Sequence, residues 1–211
     1  MAVPCSLNTP IIHVVDDDLS FRTAVTRLLR AAKYEVRGYA SAPEFLDSDP
    51  CDEPGCILLD LQMPGVSGLD LQQSLARMEE RLPIIFLTGH GDIPASVRAM
   101  KAGAVDFLTK PVRREALLTA VQNAIGVDAK GRAARAALRE LHDRYENLTP
   151  REREVLAHVV SGKLNKQIAS DLGAAERTIK AHRASIMEKL GVQSVAELVR
   201  LAQELGIEPI R

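Results

Sequence analysis

No apolar run in the 211-residue chain approaches the roughly 18 to 20 residues that a membrane span needs. The N-terminus lacks the basic-then-apolar segment of a secretory signal. Cysteine is scarce: Cys5, Cys51 and Cys56 are odd in number, lack metal-ligand spacing and have no histidine nearby. They read as reduced thiols of a cytoplasmic protein rather than as a disulfide framework. Tryptophan is absent altogether, which disfavours an aromatic-rich pocket for a small ligand. Net charge is −1, so no excess of one sign marks the whole chain.

The apolar content is ordinary for a globular protein, and the length suits one large or two small domains. Charge is unevenly spread. Residues 1–126 hold 12 Lys and Arg against 16 Asp and Glu, whereas residues 148–211 hold 10 against 8. An acidic first half and a mildly basic second half point weakly to a nucleic-acid end.

The chain is organised around Ile57-Leu58-Leu59-Asp60-Leu61-Gln62-Met63-Pro64-Gly65. Three apolar residues read as a buried strand, Asp60 falls where strand becomes loop, and Met63-Pro64-Gly65 forces a turn. Similar strands are expected at Ile11–Val15, Glu35–Tyr39, Ile84–Thr88 and Asp106–Thr109. Helices lie between them, carrying Phe21, Val25, Leu28 and Leu29, then Phe45 and Leu46, then Leu71, Leu75 and Met78, then Val97 and Met100. A fifth helix, with Leu117, Leu118 and Val121 inward, is expected to end near Ile125. This alternation predicts a parallel α/β sheet. Asp16-Asp17, Asp60, Thr88 and Lys110 then share the carboxyl edge of the sheet, where ligands bind. Three carboxylates there call for a hard cation such as Mg2+, and Lys110 for phosphoryl oxygens. The chemistry implied is phosphoryl transfer onto Asp60.

Val14-Val15-Asp16-Asp17, Asp60 to Gly65, Thr88-Gly89 and Lys110-Pro111 resemble the receiver domain of two-component response regulators. The resemblance implies a flavodoxin/CheY-like, five-stranded parallel sheet of order 2-1-3-4-5 over residues 8–126. It implies Asp60 as phosphoacceptor and Lys110 and Thr88 as its assistants. Mg2+ would be held by Asp17, Asp60 and the Gln62 backbone carbonyl, with Asp16 assisting through water. Thr88 and Phe107 would form the switch, and the Lys110–Pro111 bond would be cis. Val112 departs from the family, in which an aromatic often follows the Lys-Pro pair.

Residues 127–147 read as a helical linker. Val127, Gly131, Ala134, Leu138, Leu141, Tyr145 and Leu148 recur at heptad-like steps, suiting either a helix packed on a neighbour or a short coiled coil. From residue 148 four helices follow. Thr149-Pro150-x-Glu152 is a capping box, Asn165 can cap a short helix, Glu176 to Leu190 forms a longer one, and Ser194-x-x-Glu197 caps the last. A short helix turning tightly into a long one fits a helix-turn-helix. Leu148 to Glu152, Asn165-Lys166-Gln167-Ile168-Ala169 and Thr178-Ile179-Lys180-Ala181-His182 are similar to the LuxR-type helix-turn-helix. Residues 148–211 thus form an all-α DNA-binding domain by resemblance. Its candidate DNA contacts are Lys166, Arg177, Thr178, Lys180, Ala181, Arg183, Ala184 and Lys189.

Both halves together resemble the FixJ/NarL family, closest to its FixJ side. The resemblance implies a cytoplasmic, phosphorylation-dependent transcriptional regulator with a sensor histidine kinase and double-stranded DNA as partners. It further implies homodimerisation on phosphorylation, RNA polymerase as a further partner, and no membrane attachment. No enzymatic activity is implied beyond phosphoryl uptake and autodephosphorylation at Asp60. Two alternatives stay open: a DNA-binding regulator with a silent receiver, and an aspartyl-phosphate phosphohydrolase. Gln62 disfavours the latter, because such enzymes need a second acid two residues after the nucleophile.

Overall fold

The computed structural model describes residues 9–48, 53–77, 82–89 and 93–207. Cys5, Cys51, Met78 and residues 90–92 lie outside them. The chain divides into two compact units, residues 1–131 and 132–211. Among the described residues, no helix is long and apolar enough to cross a membrane.

The first unit alternates strand and helix: β1 (Ile11–Val15), α1 (Leu19–Ala31), β2 (Glu35–Tyr39), α2 (Ala42–Asp47), β3 (Gly55–Asp60), α3 (Gly68–Leu75), β4 (Ile84–Thr88), α4 (Ile93–Lys101), β5 (Asp106–Thr109) and α5 (Arg114–Glu146). The five strands pair in parallel in the order β2-β1-β3-β4-β5. Every residue of β1, β3 and β4 is buried, because helices cover both faces of a parallel sheet. Alternate residues feed two cores. Val15, Leu59 and Phe86 meet Phe45, Leu71 and Ala99 on one face. Ile12, Leu58, Ile85 and Leu87 meet Val25, Leu29, Leu117 and Val121 on the other.

Side-chain caps set the helix starts: Asp18 for α1, Ser41 for α2 and Ser67 for α3 each accept from first-turn N–H groups. In α4 the expected inner residues are displaced. Ala95 and Ala99 are buried, whereas Val97 and Met100 are each 46% exposed. Small residues face the sheet and the larger ones face water. The fifth helix does not stop near Ile125 but continues unbroken to Glu146. Asp128, three residues past the expected end, is buried and accepts the Gly55 N–H at 2.9 Å. Gly55 is required here, since a Cβ would sit 1.9 Å from the Ile11 carbonyl oxygen.

The second unit begins within α5 and continues through α6 (Pro150–Val160), α7 (Asn165–Asp171), α8 (Glu176–Leu190) and α9 (Val195–Glu204). Its core gathers Leu148, Val155, Leu156, Val159, Ile168, Ile179, Ile186, Leu190 and Leu198, with Tyr145 packed against it. The strong half of the linker stripe is thus partly used within this unit. Val127 and Leu138 stay exposed. Asn165 does not cap α7: it is the first helical residue, and Leu164 occupies the cap position.

His13 lies fully buried in β1 between Tyr39 and Phe45, with Nδ1 3.2 Å from the Tyr39 hydroxyl. Burial, with the Arg37 charge adding to it and Glu53 opposing, lowers its pKa from 6.5 to about 4. Between those values the unfolded chain holds a proton that the folded chain refuses. The contribution of His13 to receiver stability is therefore expected to be flat above pH 6.5 and to fall by about 1 kcal/mol per unit from pH 6.5 towards 4. Thermal melts across that range, on wild type and His13→Leu, test this: the stability difference between the two should change with pH by that slope below pH 6.5 and stay constant above it.

Candidate functional site

The carboxyl ends of β1, β3, β4 and β5 place Asp16, Asp60, Thr88 and Lys110 around one crevice. Asp16 is fully buried; its N–H donates to the Tyr39 carbonyl, and its Oδ1 accepts the Asp18 N–H at 3.0 Å. Arg22 donates to the Asp16 carbonyl oxygen from α1. Asp60 is 5% exposed at the last position of β3, and its Oδ1 accepts the Gln62 N–H at 3.4 Å. Gly68 lets α3 approach, because a Cβ there would lie 2.3 Å from the Asp60 carbonyl oxygen. Asp17 is exposed at the mouth of the crevice.

Lys110 joins the two buried acids. Its Nζ lies 2.7 Å from Asp16 Oδ2 and 3.2 Å from Asp60 Oδ2, and 4.2 Å above the Phe21 ring centre. The Lys110–Pro111 bond is cis, and the Lys110 N–H donates to the Thr88 carbonyl at 2.6 Å. Burial opposes the Lys110 charge, but the two carboxylates outweigh it and hold its pKa above the ordinary lysine value. For Asp16 burial dominates and raises the pKa, with Lys110 pulling the other way. Thr88 is fully buried at the end of β4. Phe107 is half-buried on β5 opposite Phe86, two positions before Thr88 on β4, with the two ring centres 6.4 Å apart.

Carboxylate oxygens of Asp16, Asp17 and Asp60 lie within 4.8 Å of one another. Three acids against one ammonium leave an excess of negative charge, and their donors are hard oxygens. A small divalent cation fits that set.

In the second unit, α7 and α8 form the expected helix-turn-helix, with Gly173 at φ 61° in the turn. Ile179, Ile186 and Leu190 anchor α8. Arg177, Ala181 and Ala184 follow at i, i+4 and i+7 on the opposite, exposed stripe, flanked by exposed Thr178 and Lys180. Lys166 is exposed on α7. Two other candidates are engaged within the domain. Arg183 donates to Asn165 Oδ1 at 2.7 Å, and Lys189 lies 2.7 Å from Glu152 Oε2.

Glu152, beyond its capping role, is a residue whose importance the sequence did not reveal. It is buried and binds Thr149, Ser185 and Lys189 at once. Burial would raise its pKa, but the hydrogen bonds from Lys189, Ser185 and Thr149 hold it down to about 2. The capping-box pattern was legible, whereas its partners on α8 lie 33 and 37 residues away.

Comparison with known proteins matches both domains. Residues 12–122 match the family of response regulator receiver domains, and residues 146–202 match the luxR family of bacterial regulatory proteins. The chain belongs to the LuxR/FixJ-type response regulators. Nodulation protein W of Bradyrhizobium diazoefficiens is 48% identical over 197 residues, covering 93% of this chain and 87% of that protein. The transcriptional regulatory protein FixJ of Azorhizobium caulinodans is 41% identical over 198 residues, 94% of each. Among solved structures, response regulator StyR matches at TM-score 0.80 and 45% identity, covering 93% of this chain and 99% of that one. As a response regulator the chain couples a receiver to a DNA-binding domain and acts in phosphorylation-dependent control of transcription. The two domains imply a histidine kinase as partner and DNA as target.

Replacing Lys189 by Met should destabilise the DNA-binding domain by about 2 kcal/mol, because the Glu152 carboxylate loses its cation. The slope of DNA affinity against salt should not change. A slope reduced by about one would show instead that Lys189 meets a phosphate.

Proposed function

We propose that Asp60 accepts a phosphoryl group from a sensor histidine kinase and that this controls dimerisation and DNA binding. The observation that carries the reading is the crevice itself: three carboxylates within 4.8 Å, with Lys110 Nζ 3.2 Å from Asp60. A carboxylate oxygen of Asp60 forms the bond to phosphorus as the bond to the donor breaks. Asp16, Asp17, Asp60 and the Gln62 backbone carbonyl would hold Mg2+, which when bound supplies charge neutralisation for the phosphoryl oxygens. Lys110 is already placed beside Asp60 to neutralise added charge. Thr88 Oγ1 would turn towards the phosphoryl group, and Phe107 would repack as it moves.

Dimerisation is assigned to the face of α4 and β5, where Val97 and Met100 offer exposed apolar surface. Two copies would present two recognition helices about one DNA turn apart, for a two-fold related site and contact with RNA polymerase. Lys166, Arg177, Thr178 and Lys180 are assigned to phosphates, and Ala181 and Ala184 to base edges. Arg183, held by Asn165, is assigned to the same interface as a preset cation.

Intact mass after incubation with acetyl phosphate and Mg2+ tests the acceptor. Wild type should gain one phosphoryl group and Asp60→Asn none, because an amide is a poor acceptor; full labelling of the variant overturns the assignment. Lys180→Ala should weaken binding across all sequences and reduce the salt slope by about one. Retention of the full slope removes Lys180 from the phosphate contacts.

A further inference from the structure

Five helices open on a side-chain acceptor: Asp18, Ser41, Ser67, Thr149 and Ser194 cap α1, α2, α3, α6 and α9. α7 and α8, the two helices of the helix-turn-helix, do not: Ala175 precedes α8 and Leu164 precedes α7. Leu164 holds the α7 cap position, makes no side-chain cap and is 69% exposed. Asn165, one residue late to cap, instead accepts from Arg183 on its side-chain oxygen. Gln167 Oε1 reaches back to accept the Leu164 N–H at 2.8 Å. Leucine is among the poorest N-caps, and in water its side chain gains nothing from burial. The sequence therefore breaks two local rules at one position, and such breaks gather at functional sites.

Leu164 lies on the rim of a groove of about 400 Å3, together with Asn165, Lys180, Arg183, Ala184 and Met187. Exposed Lys166 follows on the same helix. An occupant must therefore offer negative charge and apolar surface side by side. An apolar patch on a second copy of the chain would give no anion to these three cations, of which Lys180 is paired with Glu176 on its own helix at 3.5 Å and Arg183 is held by the uncharged Asn165. The sugar–phosphate backbone of DNA supplies both, since apolar deoxyribose faces alternate with phosphates. The first helix of a helix-turn-helix crosses that backbone. We propose that Leu164 is a DNA-contact residue that packs on deoxyribose between phosphates held by the neighbouring cations. It adds affinity that is neither ionic nor sequence-dependent. This rests on the DNA-binding reading of α7 and α8.

The test measures binding by the full chain to a duplex selected by the wild type and to a scrambled one, over a series of salt concentrations. Leu164→Ala should weaken both about fivefold, as expected for a few lost apolar contacts, with the salt slope unchanged. Leu164→Met should stay within twofold of wild type. Leu164→Ser supplies the missing cap and should raise the melting temperature by about 2 °C without restoring affinity. Unchanged binding by Leu164→Ala overturns the proposal, as does weakening on the selected duplex alone, a changed salt slope, or recovery of affinity in Leu164→Ser. Weaker self-association of DNA-free Leu164→Ala in sedimentation would assign the patch to a second copy. Failure of the wild type to bind any duplex would remove the DNA reading and this proposal together.

Discussion

The receiver depends on one electrostatic constraint: two carboxylates, Asp16 and Asp60, are buried side by side and share a single ammonium. Burying either acid alone would be costly, and burying both without a cation more so. Lys110 meets that constraint from a different strand, 94 residues from Asp16. Its ammonium lies over the Phe21 ring, and its backbone N–H is tied to the Thr88 carbonyl. The group that neutralises the acids is therefore fixed to the strand end carrying the buried threonine. A change of charge at Asp60 acts on Lys110 directly and on Thr88 through the same segment, which is a physical basis for a two-state element.

The receiver crevice was legible because parallel topology turns a one-dimensional pattern into a three-dimensional one. Each strand ends where its apolar run ends, and all carboxyl ends lie on one side of the sheet, so four short motifs sufficed to group Asp16, Asp60, Thr88 and Lys110. Where periodicity alone was the guide, the reading was weaker. Val97 and Met100 have helical spacing but face water, because the sheet admits α4 only through Ala95 and Ala99. Asp128 looked like a linker residue, and its buried bond to Gly55 spans 73 residues without a local signal. Asn165 is a good cap residue one position too late; its true partner, Arg183, lies on the next helix.

The DNA-binding domain shows the same division between local and distant determinants. The Thr149–Glu152 capping box is local, and both of its reciprocal bonds are made. Yet the Glu152 carboxylate also holds Ser185 and Lys189 on the recognition helix. The start of α6 and the far half of α8 are thus bound through one buried acid. Lys189, a candidate DNA cation by sequence, is one of the groups through which Glu152 holds α8.

The linker stripe divides along its length for a related reason. Tyr145 and Leu148 pack with the DNA-binding core, and Arg153 stacks on Tyr145 while donating to the Glu146 carbonyl. Arg144 donates to the Leu190 carbonyl at the end of α8, beside Gly191 in the left-handed conformation. Lys189 reaches the Asn147 carbonyl in return. Cations at a helix C-terminus satisfy carbonyls that have no partner within the helix, and here two helix ends do this for each other. The last turn of α5 is thereby part of the recognition unit, so a domain boundary drawn at residue 148 cuts through the contacts that hold the end of α8. A displacement of that turn would reach the recognition helix through hydrogen bonds already in place, with no new contact needed.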